Sequence, residues 1–178
     1  MSSNVKRLVY CAIAIALATV TSFMKLTSLP FGGSITMFSM FFICLTGYLY
    51  GLKTGLMTGV SYGILQLIMD PYIYVPVQVL LDFPLAFGAL GLSGLFWKSR
   101  YGLVKGCVTG MLGRYLCHVI SGYVFFAEYA PAGMNPMIYT LGYNLTYILP
   151  EMIATLILIS IPSVVKALNQ VKRMAVAG

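Results

Sequence analysis

Long apolar blocks alternate with short breaks rich in glycine, proline and polar residues along this chain. A helix needs about 20 apolar residues to cross a bilayer. By that measure the blocks predict six spans, at about 6–24, 35–52, 54–69, 75–97, 102–127 and 137–165. Spans 2 and 3 are separated only by Gly51, Leu52 and Lys53, and the short third span predicts a tilted or partly inserted segment. Three breaks, 25–34, 70–74 and 128–136, carry SLPFGGS, DPYIY and EYAPAGMNP. Their prolines and glycines suit turns, and their aromatic rings suit either a membrane interface or a cover over a ligand.

Small residues recur inside the blocks at helical spacing. Gly51, Gly55, Gly59 and Gly63 line span 3, and Gly102, Gly106 and Gly110 line the start of span 5. Such rows let helix backbones approach closely. In span 1 Ala12 and Ala16, with Ala14 and Ala18, leave a smooth face that suits either internal packing or docking of another membrane protein.

Composition turns this pattern into a class. The chain has 178 residues, 60% of them hydrophobic and only 8% charged, with a mean hydropathy of +0.91. A soluble domain carries about 25% charged residues. The expectation is an all-α membrane protein, one domain over 1–178, built as a compact bundle of six transmembrane helices. The run from Leu8 is too long for a signal-peptide core and no A-x-A site follows it. The four cysteines lie in apolar blocks without C-x-x-C spacing, so neither a disulfide framework nor a metal site is expected.

The net charge of +7 raises the question of nucleic acid, and its distribution answers it. Six spans put both termini on one side. Lys6, Arg7, Lys53, Lys98, Arg100, Lys105, Lys166, Lys172 and Arg173 fall there, while Lys25, Asp70 and Glu128 fall opposite. Basic residues gather on the cytoplasmic side of membrane proteins. Both termini are therefore expected in the cytoplasm, with no nucleic-acid partner.

Ionisable residues interrupt the blocks, and two of them stand out. Asp82 lies in VPVQVLLDFPLAF and His118, the only histidine, in GRYLCHVISGYVFF. A charge in hydrocarbon costs several kcal/mol and persists mainly where it faces the protein interior with a task. Counted from the outer ends of their spans, Asp82, His118 and Asn144 all lie about 10–12 Å deep at 1.5 Å per residue. An acid, an imidazole and an amide at one level predict a shared site. Arg114 and Glu151 lie deeper and are expected to pair with each other, since an unpaired charge there costs more. Pro150 is expected to kink span 6.

His118, Gly122 and Phe126 share one helical stripe, in which the glycine offers either a helix contact or a gap for a planar ligand. Tyr139, Tyr143 and Tyr147 form another, beside Thr140 and Asn144, and Tyr72 and Tyr74 sit just above span 4. A carboxylate among rings favours a cation, each ring adding about 0.5–2 kcal/mol. The ligand expected is small, planar, cationic and hydrogen-bonding. The same Asp and His also fit a proton relay in a secondary carrier, and an Asp–His pair fits a membrane-embedded enzyme. The chain has no G-x-x-x-x-G-K-[ST] phosphate loop, no H-E-x-x-H and no G-x-S-x-G, so ATP-driven work needs a partner and no catalytic nucleophile stands out. The paired internal repeats of many secondary transporters are also missing.

Four stretches in order, LPFGGSITM (29–37), PVQVLLDFPLAF (76–87), RYLCHVISGYVFFAEYAPAGMNP (114–136) and IYTLGYNLTYILP (138–150), cover most of the chain from the first outer loop to mid-span 6. In them the chain resembles the thiamine-specific substrate-binding components of energy-coupling factor transporters. The resemblance implies a multi-pass protein of the bacterial cell membrane, not an enzyme. It would capture thiamine from outside and deliver it through a transmembrane coupling protein and two ATPases. ATP is used by those partners and no cofactor by this chain. It also implies ligand contacts at Asp82, His118, Tyr139 and Asn144, further pocket positions at Tyr72, Phe83, Gly122 and Phe126, and docking of the coupling module at Ala12 and Ala16, with membrane lipid around the bundle. The chain departs from some members at three places. Its only tryptophan is Trp97, at the cytoplasmic end, so Phe126 stands for one stacking tryptophan and Gly33-Ser34, near Phe31, for the other; Asp82 is shorter than a glutamate; and Phe83 lacks a tyrosine's hydroxyl. The competing reading is a proton-coupled secondary carrier of a small cationic or heteroaromatic solute.

Overall fold

The structure, a computed structural model, describes residues 3–30 and 33–176. Phe31 and Gly32, within the LPFGGSITM stretch, lie outside the described residues. Helix α1 spans Ser3–Phe23 and is followed by a short antiparallel hairpin, β1 (Lys25–Ser28) and β2 (Ser34–Thr36). Then come α2 (Ser39–Tyr50), α3 (Leu52–Met69), α4 (Pro76–Phe96), α5 (Gly102–Phe125), α6 (Pro136–Leu158) and α7 (Pro162–Val176).

The expected helical architecture is present with three differences. The hairpin was not expected; it occupies part of the first outer loop and the first residues assigned to span 2. Helix α2 is consequently only 12 residues long. The block from 137 to 165 is two helices: α6 ends at Leu158 and α7 starts with Pro162 in its first turn, a position where a missing N–H costs nothing. Among the described residues three helices, α1, α4 and α6, are long and apolar enough to cross a membrane.

Helix α4 runs through the middle of the bundle, and the glycine rows explain how. A Cβ on Gly55 would lie 2.7 Å from the Gly47 Cα and 2.8 Å from the Gly91 carbonyl oxygen. On α5, Gly106 would meet the Ser93 carbonyl and Gly110 the Leu90 carbonyl, each at 2.7 Å. The internal-packing reading of both rows is correct: α3 and α5 press their backbones onto α4 from either side. The alanines of α1 divide. Ala14 and Ala18 are buried against the bundle, whereas Ala12 and Ala16 face outward.

The two ends of the bundle are built differently. At one end Tyr10 meets Tyr50 edge-on, Gly51 abuts Trp97, and Lys172 of α7 donates to the Trp97 carbonyl at 2.9 Å while lying over the Tyr48 ring. At the other, Lys25 pairs with Asp70 at 2.5 Å and Tyr74 donates to Glu128 at 3.4 Å. That carboxylate raises the pKa of the Tyr74 phenol.

Helix α4 is irregular where the chemistry lies. Pro84 has no N–H to offer the preceding turn and its ring crowds that turn's carbonyl. The helix answers by widening into a π-type turn over Leu81–Leu85, then tightens to a 3-10 helix over Leu90–Phe96. Wide turns of this kind commonly mark functional positions, and Asp82 sits in this one. Helix α6, by contrast, runs through Pro150 without a break.

Candidate functional site

A cavity of about 280 Å³ lies between the hairpin, α3, α4, α5 and α6, below the end that carries Lys25 and Asp70. All eight residues named from the sequence as ligand contacts line it: Tyr72, Asp82, Phe83, His118, Gly122, Phe126, Tyr139 and Asn144.

Asp82 anchors the polar side. Its Oδ1 is 3.0 Å from His118 Nδ1, and its Oδ2 accepts from Gln78 Nε2 at 2.6 Å and Ser121 Oγ at 2.8 Å. Gln78 is one helical turn before Asp82, and Ser121 is one turn after His118, so regular helix geometry delivers both. Sequence reasoning missed these two residues. The signal was available: each is a polar residue in an apolar block, on the same face as a residue already singled out.

His118 is engaged at both nitrogens, since Arg114 Nε donates to its Nε2 at 3.2 Å. Asn144 is equally occupied: its Nδ2 donates to the Thr140 carbonyl at 2.9 Å, and its Oδ1 accepts from Tyr147 at 2.5 Å. These contacts hold both polar groups rigidly in the wall.

One expectation needs correction, and one open alternative is decided. Arg114 and Glu151 do not meet as an ion pair. Arg114 turns along its own helix to His118 and lies over the Phe87 ring, 4.1 Å from its centroid. Glu151 instead caps α2: its carboxylate accepts from Met40 N at 2.9 Å, Thr36 Oγ1 at 2.7 Å and Ser39 Oγ at 3.3 Å. A helix N-terminus offers unsatisfied N–H groups and partial positive charge, which gives a carboxylate partners without a cation. Nor does Gly122 leave a gap for a ring. A Cβ there would lie 2.6 Å from Thr140 Cγ2, so the space is a contact between α5 and α6.

Two groups of rings face the cavity. Phe126, just past the end of α5, has Tyr72, Tyr74 and Tyr129 around it at centroid distances of 5.9, 5.5 and 6.0 Å. On α6, Tyr139, Tyr143 and Tyr147 follow one another, the first pair tilted at 6.1 Å and the second edge-on at 5.9 Å. Tyr143 also holds the loop between β1 and β2, donating to the Pro30 carbonyl and accepting from Gly33 N at 3.1 Å. The site thus sets the fixed Asp82 carboxylate in the wall of an aromatic chamber whose lining also carries Asp70 and Glu151, an arrangement that stabilises a small organic cation by charge and by ring quadrupoles.

The chain resembles known proteins over most of its length. The family model "Thiamine transporter protein (Thia_YuaJ)" matches residues 8–171. The chain is 38% identical to the thiamine transporter ThiT of Bacillus subtilis, over 85% of this chain and 87% of that protein. It is 32% identical to ThiT of Lacticaseibacillus paracasei, over 53% of this chain and 55% of that protein. A solved structure of ThiT from Listeria monocytogenes superposes with a TM-score of 0.80 at 23% identity, covering 98% of this chain and 99% of that one.

Proposed function

The chain belongs to the thiamine transporter (Thia_YuaJ) family, and from that premise we propose that it is the thiamine-binding subunit of an energy-coupling factor uptake transporter. It captures thiamine from outside the cell in the cavity above Asp82. The observation that carries this reading is the Asp82 carboxylate, fixed by three donors and facing a chamber walled by rings. Thiamine is a flat aminopyrimidine joined to a cationic thiazolium. The carboxylate supplies countercharge, and Phe126 with Tyr72, or Tyr139 with Tyr143, supplies faces for the two heterocycles. Phe83 and Gly122 complete the wall, and His118 and Asn144 set its polar edge.

In this proposal the protein crosses the membrane six times, with both termini in the cytoplasm. Nine basic residues at that side, and the aromatic, acid-bearing loops at the other, support the orientation. Ala12 and Ala16, exposed on α1, form a flat strip on which a transmembrane coupling protein with two ATPases docks. Nothing in the chain resembles an ATP-binding loop, so the energy enters through that partner.

The experiment that tests this against a proton-coupled carrier is uptake of labelled thiamine into vesicles. Uptake that requires the coupling module and ATP, and survives collapse of the proton gradient, supports the proposal. Uptake by this chain alone, abolished by that collapse, overturns it.

A further inference from the structure

Arg114 has no place in the proposed function so far, yet it is the cation that touches the polar edge of the cavity. Arg114, His118 and Ser121 lie on one stripe of α5, and Asp82 faces them from α4. The guanidinium is a donor at every nitrogen and stays charged in proteins. Its Nε is 3.2 Å from His118 Nε2, so that ring nitrogen is the acceptor and carries a lone pair. The proton of a neutral imidazole is then on Nδ1, where it points at Asp82 Oδ1 across 3.0 Å. A doubly protonated ring would set N–H against N–H at the Arg114 contact.

We propose that Arg114 is a positioning residue that holds His118 in its neutral Nδ1–H form and so keeps the charge of Asp82 uncancelled for the cationic ligand. The proposal rests on the thiamine-binding reading for its purpose, but the tautomer assignment stands on geometry alone. Two opposing influences act on the ring. Asp82, with Gln78, faces it from α4 and would draw a second proton onto it. Arg114 on its own helix opposes that proton. From α6, Tyr147 meets the ring edge-on, Asn144 donates to the His118 carbonyl at 3.4 Å, and Glu151 lies a turn deeper. Cys117 neighbours it on α5. An imidazolium would set its positive charge directly on Asp82, 3.0 Å away, and neutralise that carboxylate locally, whereas Arg114 is held off it by the ring between them. With Arg114 in place, the sequence of charges is cation, neutral ring, anion, and the anion faces the chamber. The Phe87 ring under the guanidinium fixes the arginine in the orientation this requires.

The chain's single histidine makes the test direct. Protein carrying ¹⁵N-histidine, purified through a tag free of histidine and placed in lipid nanodiscs without ligand, gives one imidazole spectrum. At about pH 7, near where a free imidazole titrates, the expected result is the neutral Nδ1–H form. Arg114→Lys, which retains a donor, keeps that form. Arg114→Met loses it, showing the Nε2–H form or the imidazolium, and weakens thiamine binding by roughly tenfold, about the weight of one hydrogen bond to a charged group. A wild-type spectrum of the Nε2–H form or the imidazolium overturns the proposal. So does an Arg114→Met spectrum identical to wild type, or an altered spectrum with unchanged thiamine affinity. If Arg114→Met does not fold, the wild-type spectrum and Arg114→Gln decide. Wild-type protein that shows the Nδ1–H form but binds no thiamine refutes the ligand reading and leaves the tautomer assignment intact.

Discussion

Glu151, midway along α6, accepts the backbone N–H of Met40 in the first turn of α2 at 2.9 Å. With Thr36 and Ser39 on the same carboxylate, one acidic side chain ties α6 to the point where the outer hairpin becomes helix. The floor of the cavity is therefore fixed by a helix cap.

Replacing Glu151 by alanine leaves the Met40 N–H without its acceptor and the Thr36 and Ser39 hydroxyls, 2.8 Å apart, with only each other. Each buried group stranded in this way costs about 1–3 kcal/mol. Thermal unfolding in detergent is expected to shift downward by several degrees. Glu151→Gln, which keeps one acceptor oxygen, is expected to lose less than Glu151→Ala.

Asp82→Asn keeps the shape of the carboxylate and removes its charge. Charged partners contribute about 1.5–3 kcal/mol per hydrogen bond, so thiamine affinity is expected to fall by about 10- to 100-fold; the amide N–H₂ also meets one of the three donors on this group, so the unfolding temperature is expected to fall modestly. Calorimetric titration of the two proteins measures it. Equal affinities would show that the ligand does not use this charge.

Ala12→Trp and Ala16→Trp place bulk on the outward strip of α1, away from the cavity. The expected outcome is lost uptake by the assembled transporter and unchanged thiamine binding by the purified chain. Binding that falls in step with uptake would remove the docking role.

Two glycines give opposite forecasts. At Gly55 a methyl group collides with the Gly47 and Gly91 backbones, which cannot turn aside, so Gly55→Ala is expected to destabilise by about 1–3 kcal/mol. Around Gly142, within α6, the space is open, and Gly142→Ala is expected to stabilise by about 0.5–1 kcal/mol through helix propensity. Unfolding temperatures of both variants check the packing account.

What could be read from the sequence follows from the kind of signal. Asp82, His118 and Asn144 were legible because a polar residue in an apolar block is costly, and counting from the block's end gives its depth. Their convergence on one cavity is a consequence of that arithmetic. The partner of Arg114 was not legible by the same logic. Opposite charge suggested Glu151, but the helix stripe put His118 within reach first, and the α2 N-terminus satisfied Glu151 without any cation. The hairpin escaped because its strands are four and three residues long, too short to show a period. The end of α6 escaped because Ile159, Ile161, Val164 and Val165 keep hydropathy high across Pro162, which begins a helix as readily as it breaks one.

The resemblance sets Phe126 and Gly33-Ser34 where some members carry stacking tryptophans. Phe126 keeps one ring against Tyr72 above Asp82, while Gly33 leaves the opposite wall to Tyr143, whose hydroxyl holds the hairpin loop.

The most direct test is a calorimetric titration of the purified, folded wild-type chain with thiamine, in the absence of any coupling protein. The account predicts saturable binding of one thiamine per chain at sub-micromolar concentration, about −8 kcal/mol or stronger. Folded protein that takes up no heat at micromolar thiamine would contradict it.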